Sequence, residues 1–139
     1  MTKEEALAAL AGIHTPIVCD AVEKYDLRPS TDGLMDTSIR SLLRGLGPMV
    51  GYATTAKIAG EYPAAEVGSL LVYSGDLLHG DEPGVMVIPS EIKLTELVTF
   101  IAKFLASEKT VIDYCKGPDC EVDQLMALIQ QHAERTERR

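Results

Sequence analysis

The chain has 139 residues, with 13 Lys plus Arg against 21 Asp plus Glu, a formal charge of −8 and an apolar share of 46%. That is one domain's length, with enough apolar residues for a buried core. The acidic balance excludes sequence-independent nucleic-acid binding, which needs clustered Lys and Arg, and a chain with no Trp and two Phe offers no stacking platform for single strands. No apolar run approaches the ~18 residues of a membrane span, and the opening MTKEE lacks a signal peptide's apolar stretch, so a cytoplasmic protein is expected. Cys19, Cys115 and Cys120 form no C-x-x-C pair and read as reduced thiols.

Thr2 followed by Glu5 is a capping-box pattern, and Ala6, Leu7 and Leu10 share a helical face, which predicts a first helix ending near Gly12. A second helix follows, with Thr15 as its cap, Pro16 in its first turn and Ile17, Val18, Ala21, Val22 and Tyr25 at spacings of three and four. Residues 26–38 (DLRPSTDGLMDTS) carry turn chemistry and read as a loop. The β-branched and small residues of 49–58, after Gly47-Pro48, predict a strand, and further strands are expected at 69–73 and 85–88. Between the last two lie turns at 74–76 and 82–84 and a short extended piece carrying His79 and Asp81.

From Pro89-Ser90 the longest element begins. Leu94, Leu97, Val98, Ile101, Phe104, Leu105, Val111, Ile112 and Cys115 keep a near-heptad stripe, which predicts an amphipathic helix to about Gly117. After Gly117-Pro118-Asp119, the residues Val122, Leu125, Met126 and Ile129 mark a final helix. No repeat or linker divides the chain, so 1–139 is read as a single domain.

The stretch 68–92 (GSLLVYSGDLLHGDEPGVMVIPSEI) is the most distinctive. Gly75-Asp76-Leu77-Leu78-His79-Gly80-Asp81 and Gly84-Val85-Met86-Val87-Ile88-Pro89 resemble the C-terminal signature of the RraA-like family, which includes 4-hydroxy-4-methyl-2-oxoglutarate aldolases, oxaloacetate decarboxylases and regulators of ribonuclease activity A. Thr15-Pro16-Ile17-Val18-Cys19-Asp20-Ala21 is similar to the family's early helix, Ile39-Arg40 to its short link, and Gly51-Tyr52-Ala53-Thr54-Thr55-Ala56 to its first core strand. The tail Val111-Ile112-Asp113-Tyr114-Cys115 with Pro118-Asp119 resembles one branch of it. The fold this implies is α/β: a shortened β/β/α domain of the swivelling type, with N-terminal helices and a long C-terminal helix.

The resemblance also implies metal-dependent cleavage of a small α-keto acid with release of pyruvate, magnesium or manganese as cofactor, and a homo-oligomer that is a trimer or a multiple of one. Family members carry a central Gly-x-x-Gly-x-Val-x-x-Gly-x-x-Arg-Asp type motif whose Arg grips the substrate and whose Asp holds the metal. Here only 57–68 (KIAGEYPAAEVG) fill that interval and no Arg-Asp pair occurs, so a central region is missing near 57–66. Enolate-forming chemistry needs a Lewis acid and fixed donors, and magnesium takes hard oxygen ligands. The carboxylates left are Asp20, Asp76, Asp81 and Glu82. Asp81 and Glu82, on a turn that could reach a neighbouring subunit, are the candidate functional groups, with His79 as candidate general base.

Each of these residues also has a plain structural reading, as a turn former, a side chain bonded to backbone or a helix-dipole partner. Two function classes therefore stand open. One is a divalent-metal-dependent carbon-carbon lyase. The other is a non-catalytic oligomerisation or protein-binding module, favoured by a helix stripe too long for three strands to cover.

Overall fold

The computed structural model describes residues 1–35, 39, 45–54 and 72–136. Among these, four α-helices flank a small antiparallel sheet, a mixed α/β arrangement. Helix α1 is Lys3–Leu10 and α2 is Thr15–Glu23; a 3-10 turn, Ser30–Gly33, follows. Strands β1 (Met49–Tyr52), β2 (Leu77–Gly80) and β3 (Val85–Ile88) precede α3 (Leu94–Cys115) and α4 (Val122–Thr136).

Local chemistry sets several of these boundaries. The Thr2–Glu5 capping box forms as the sequence predicts: the Glu5 amide donates to Thr2 Oγ1 at 3.2 Å and the Thr2 amide to Glu5 Oε2 at 2.6 Å. Helix α3 begins at Leu94, later than the predicted Pro89-Ser90. Residues 89–92 instead form a turn, with the Ile92 amide donating to the Pro89 carbonyl at 3.1 Å, and this drops the Ile92 side chain into the core. The first predicted strand ends at Tyr52, and 55–58 lie outside the described residues. Of the strand expected at 69–73, residues 72 and 73 are not in a strand and the rest lie outside the described residues, as do the 57–66 interval and Arg40 of the predicted link.

β2 is the central strand, antiparallel to both neighbours, with Leu77 opposite Tyr52 and Ile88, and His79 opposite Val50 and Met86. Strand side chains alternate between faces. Val50, Leu77, Met86 and Ile88 thereby meet Leu10, Val18, Ala21, Val22, Leu97, Phe100 and Ile101 from the helices in one apolar core. His79 occupies the same face, so the strand delivers one imidazole into this otherwise apolar layer.

α3 is 22 residues long against 8 and 9 for α1 and α2, roughly 33 Å against 12–14 Å at 1.5 Å per residue. Its buried residues, Leu97, Phe100 and Ile101, all fall in its first eight positions. Beyond them α3 outruns the rest of the fold and packs against α4: the Phe104 ring lies 5.1 Å from the His132 ring, His132 bonds the Ser107 hydroxyl at 3.0 Å, and the Glu121 amide donates to the Tyr114 hydroxyl at 3.0 Å.

Candidate functional site

The sequence places Thr15 as the cap of α2, but the structure makes His14 the cap residue and gives it no side-chain capping bond. Thr15 is already inside the helix, and its hydroxyl is engaged elsewhere, 3.0 Å from His79 Nδ1. The missing cap comes from a distant part of the chain. The Thr15 amide donates to Asp81 Oδ2 at 2.9 Å, so a carboxylate just past β2 sits at the positive end of the α2 dipole, with His14 Nδ1 3.3 Å from the same oxygen.

His79 completes the link. Its Nε2 lies 3.0 Å from the Leu10 carbonyl, and a carbonyl only accepts, so Nε2 carries the hydrogen. The neutral ring then presents Nδ1 as an acceptor to the Thr15 hydroxyl. Burial, the largest influence, pushes the His79 pKa down and outweighs the opposing pull of the Leu10 carbonyl and the Asp81 charge. The last carbonyl of α1, the first turn of α2 and the central strand are thus tied by one buried polar chain. Both ring nitrogens of His79 are occupied and the side chain is fully buried, which leaves no surface for a substrate proton.

Asp81 is likewise buried, at 4% exposure, and its second oxygen, Oδ1, has no hydrogen-bond partner. Glu82 is exposed on the β2–β3 turn. The three candidates adjacent in sequence are therefore divided: His79 and Asp81 share a buried network, while Glu82 stays at the surface. What sequence reasoning missed was the partner set, namely Leu10, His14 and Thr15. A His-x-Asp at the end of a strand is its only signal in the sequence.

The other titratable candidates are separate. Asp76 Oδ2 accepts from the Tyr73 amide at 2.8 Å in the tight turn before β2, as a turn former should. Asp20 is half-exposed on α2, and partial burial, with Glu23 and Glu108 nearby, raises its pKa. Burial pushes the Cys19 thiol up to about 11, so it stays protonated at neutral pH, 3.3 Å from Met86 Sδ. Among the described residues no group of three or more His, Cys, Asp or Glu side chains is arranged to hold a metal ion. Among them, no helix is long and apolar enough to cross a membrane.

A second feature stands on the α3–α4 hairpin. Phe104, Ser107, Val111 and Tyr114 of α3 face α4, and Leu125, Leu128 and His132 face back. One position further round each helix, at 100° per residue, come Leu105, which packs against the core, then Glu108, Ile112 and Cys115 on α3, and Val122, Met126 and Ile129 on α4; because the helices are antiparallel, both sets point to the same side. Ile112, Val122, Met126 and Ile129 are exposed there, Val122 at 73% and Met126 at 59%. Lys109 on α3 donates to Asp113 of the same helix at 2.6 Å.

No protein-family model, curated protein or solved structure matches the chain.

Proposed function

We propose that this chain is a shortened relative of the RraA-like lyases that keeps the ends of their scaffold without their chemistry, and that it works as a self-associating, non-catalytic module. The observation that carries this reading is the exposed apolar face of the α3–α4 hairpin. Four large apolar side chains on one side of two helices are a contact surface rather than a scatter of single residues. The occupant is a second copy of the chain. A two-fold axis parallel to the helices sets α3 of one copy over α4 of the other, so that the same face serves both copies.

Size fixes the expected strength. α4 is about 22 Å long and a helix pair about 20 Å wide, so the face offers on the order of 400 Å² per copy, half the ~800 Å² of a standard stable interface. The association is therefore reversible, in the micromolar range, and larger assemblies such as the family's trimers require further contacts. The locking of His79 and Asp81 into a structural network supports the non-catalytic half of the proposal, and three free thiols support a reducing, cytoplasmic setting.

Sedimentation velocity across roughly 1–200 µM tests the association. The sedimentation coefficient is expected to rise with concentration, and Met126→Glu is expected to hold the chain as a monomer while leaving its circular dichroism unchanged. A clean monomer for the wild type at the highest concentration overturns the proposal. Incubation with oxaloacetate and with 4-hydroxy-4-methyl-2-oxoglutarate, in the presence of magnesium or manganese and then chelator, tests the other half: metal-dependent pyruvate release above buffer restores the lyase reading.

A further inference from the structure

At the end of the sheet where Tyr52, Leu77 and Ile88 lie side by side, the described residues enclose an open cleft of about 420 Å³. That is within the range of small-molecule sites. Its floor and inner wall are apolar: Leu77, Ile88, Ile92 and Leu94. Its charged lining residues are Arg28, Asp76 and Glu91. None of these groups takes part in the His79–Asp81 network or in the hairpin face.

Arg28 is a held group rather than a free surface arginine. A guanidinium nitrogen donates to the Val87 carbonyl of β3. The guanidinium also lies flat against Gly33, so closely that a Cβ at that position would run into it. A guanidinium has five N–H donors in a rigid array, and the bond to Val87 uses one of them. In the same lining, Asp76 is pinned by its bond from the Tyr73 amide, and Glu91 accepts from the Ser90 hydroxyl at 3.3 Å on the turn that follows β3. A lining that holds charges of both signs beside apolar residues suits neither a simple anion, which the two carboxylates repel, nor a simple cation, which Arg28 repels.

We propose that this cleft binds a small zwitterion with an apolar body, of the α-amino acid class: its carboxylate on Arg28, its ammonium group toward Asp76 and Glu91, and its side chain on Leu77, Ile88, Ile92 and Leu94. The site is independent of self-association and stands whether or not the hairpin face pairs.

The test is a titration followed by two-dimensional NMR on the labelled full chain with three probes that share one carbon skeleton. L-Leucine carries both charges, 4-methylpentanoate only the carboxylate and 3-methylbutylamine only the ammonium. L-Leucine is expected to give saturable shifts in the Ile88, Ile92 and Leu77 methyl signals at millimolar concentration, with each single-charge probe at least about tenfold weaker, the equivalent of one charge-assisted hydrogen bond. Arg28→Lys keeps the charge but loses the planar fork, and is expected to weaken leucine binding about tenfold. Glu91→Gln, on an exposed turn where folding is not at risk, is expected to weaken leucine while leaving 4-methylpentanoate unchanged or improved. The proposal is overturned by the absence of saturable shifts with leucine up to ~10 mM. It is also overturned by equal binding of leucine and 4-methylpentanoate, or by a folded Arg28→Lys protein that binds leucine as the wild type does.

Discussion

Thr15→Val isolates the buried polar link, because valine keeps the shape of threonine and deletes only the hydroxyl. In the native chain that hydroxyl donates to His79 Nδ1 at 3.0 Å, and both residues are inaccessible to solvent, Thr15 at 2% and His79 at 0% exposure. Removing the donor leaves a buried imidazole nitrogen without a partner, at a cost of about 1–3 kcal/mol. The methyl group that replaces it regains up to ~0.8 kcal/mol by burial, which leaves a net loss of about 0.2–2.2 kcal/mol, centred near 1 kcal/mol. The Thr15 amide bond to Asp81 is unaffected by the substitution, which confines the effect to His79.

Urea denaturation is the assay. The midpoint should fall at an unchanged slope, and the thermal midpoint by about 3–6 °C for a chain of this size. A cycle with His79→Phe sharpens the test. If the two side chains act as a unit, the double variant is less destabilised than the sum of the single ones by about 1 kcal/mol or more. A Thr15→Val loss below ~0.2 kcal/mol, or additive single effects, would refute the inference that this bond secures the junction of α1, α2 and the sheet.

The same histidine sets a pH dependence. Its pKa is lowered in the folded chain, so the unfolded chain binds the proton more readily; stability is full above the unfolded value of about 6.5 and is lost progressively as pH falls from there toward the folded value. Denaturation midpoints measured from pH 7.5 to 5 should show this decline in the wild type and a shallower one in His79→Phe, and parallel slopes would count against it. Leu97→Ala removes a fully buried side chain where α3 meets the core and should cost about 2–5 kcal/mol. Ile112→Ala, on the exposed distal half of α3, should leave the stability of the dilute monomer within about 0.5 kcal/mol, a contrast readable in parallel urea titrations.

The elements that local chemistry specifies were legible before any coordinates. The Thr2–Glu5 box starts α1, the apolar spacing draws α2, α3 and α4, and the turns at 74–76 and 82–84 bracket the extended piece that becomes β2. These signals lie within a few residues of what they specify, and periods of 3.6 and 2 are properties of the chain itself. The start of α3 was less legible, because Pro89-Ser90 reads as a helix opening until the burial of Ile92 decides that 89–92 must turn first.

The roles of His79, Asp81 and Thr15 belong to the tertiary structure. As residue types they fit acid-base chemistry, metal ligation and capping equally well, and the sequence leaves those readings open. Their partners lie more than sixty positions away, and only the docking of β2 against the α1–α2 junction turns the histidine into a neutral buried bridge and the aspartate into the cap of a helix it does not belong to. The exposed hairpin face has the same origin. The sequence lays a stripe along α3, but which part of it stays open depends on α3 being about 20 Å longer than the helices beside it, a comparison that exists only once the elements are packed together.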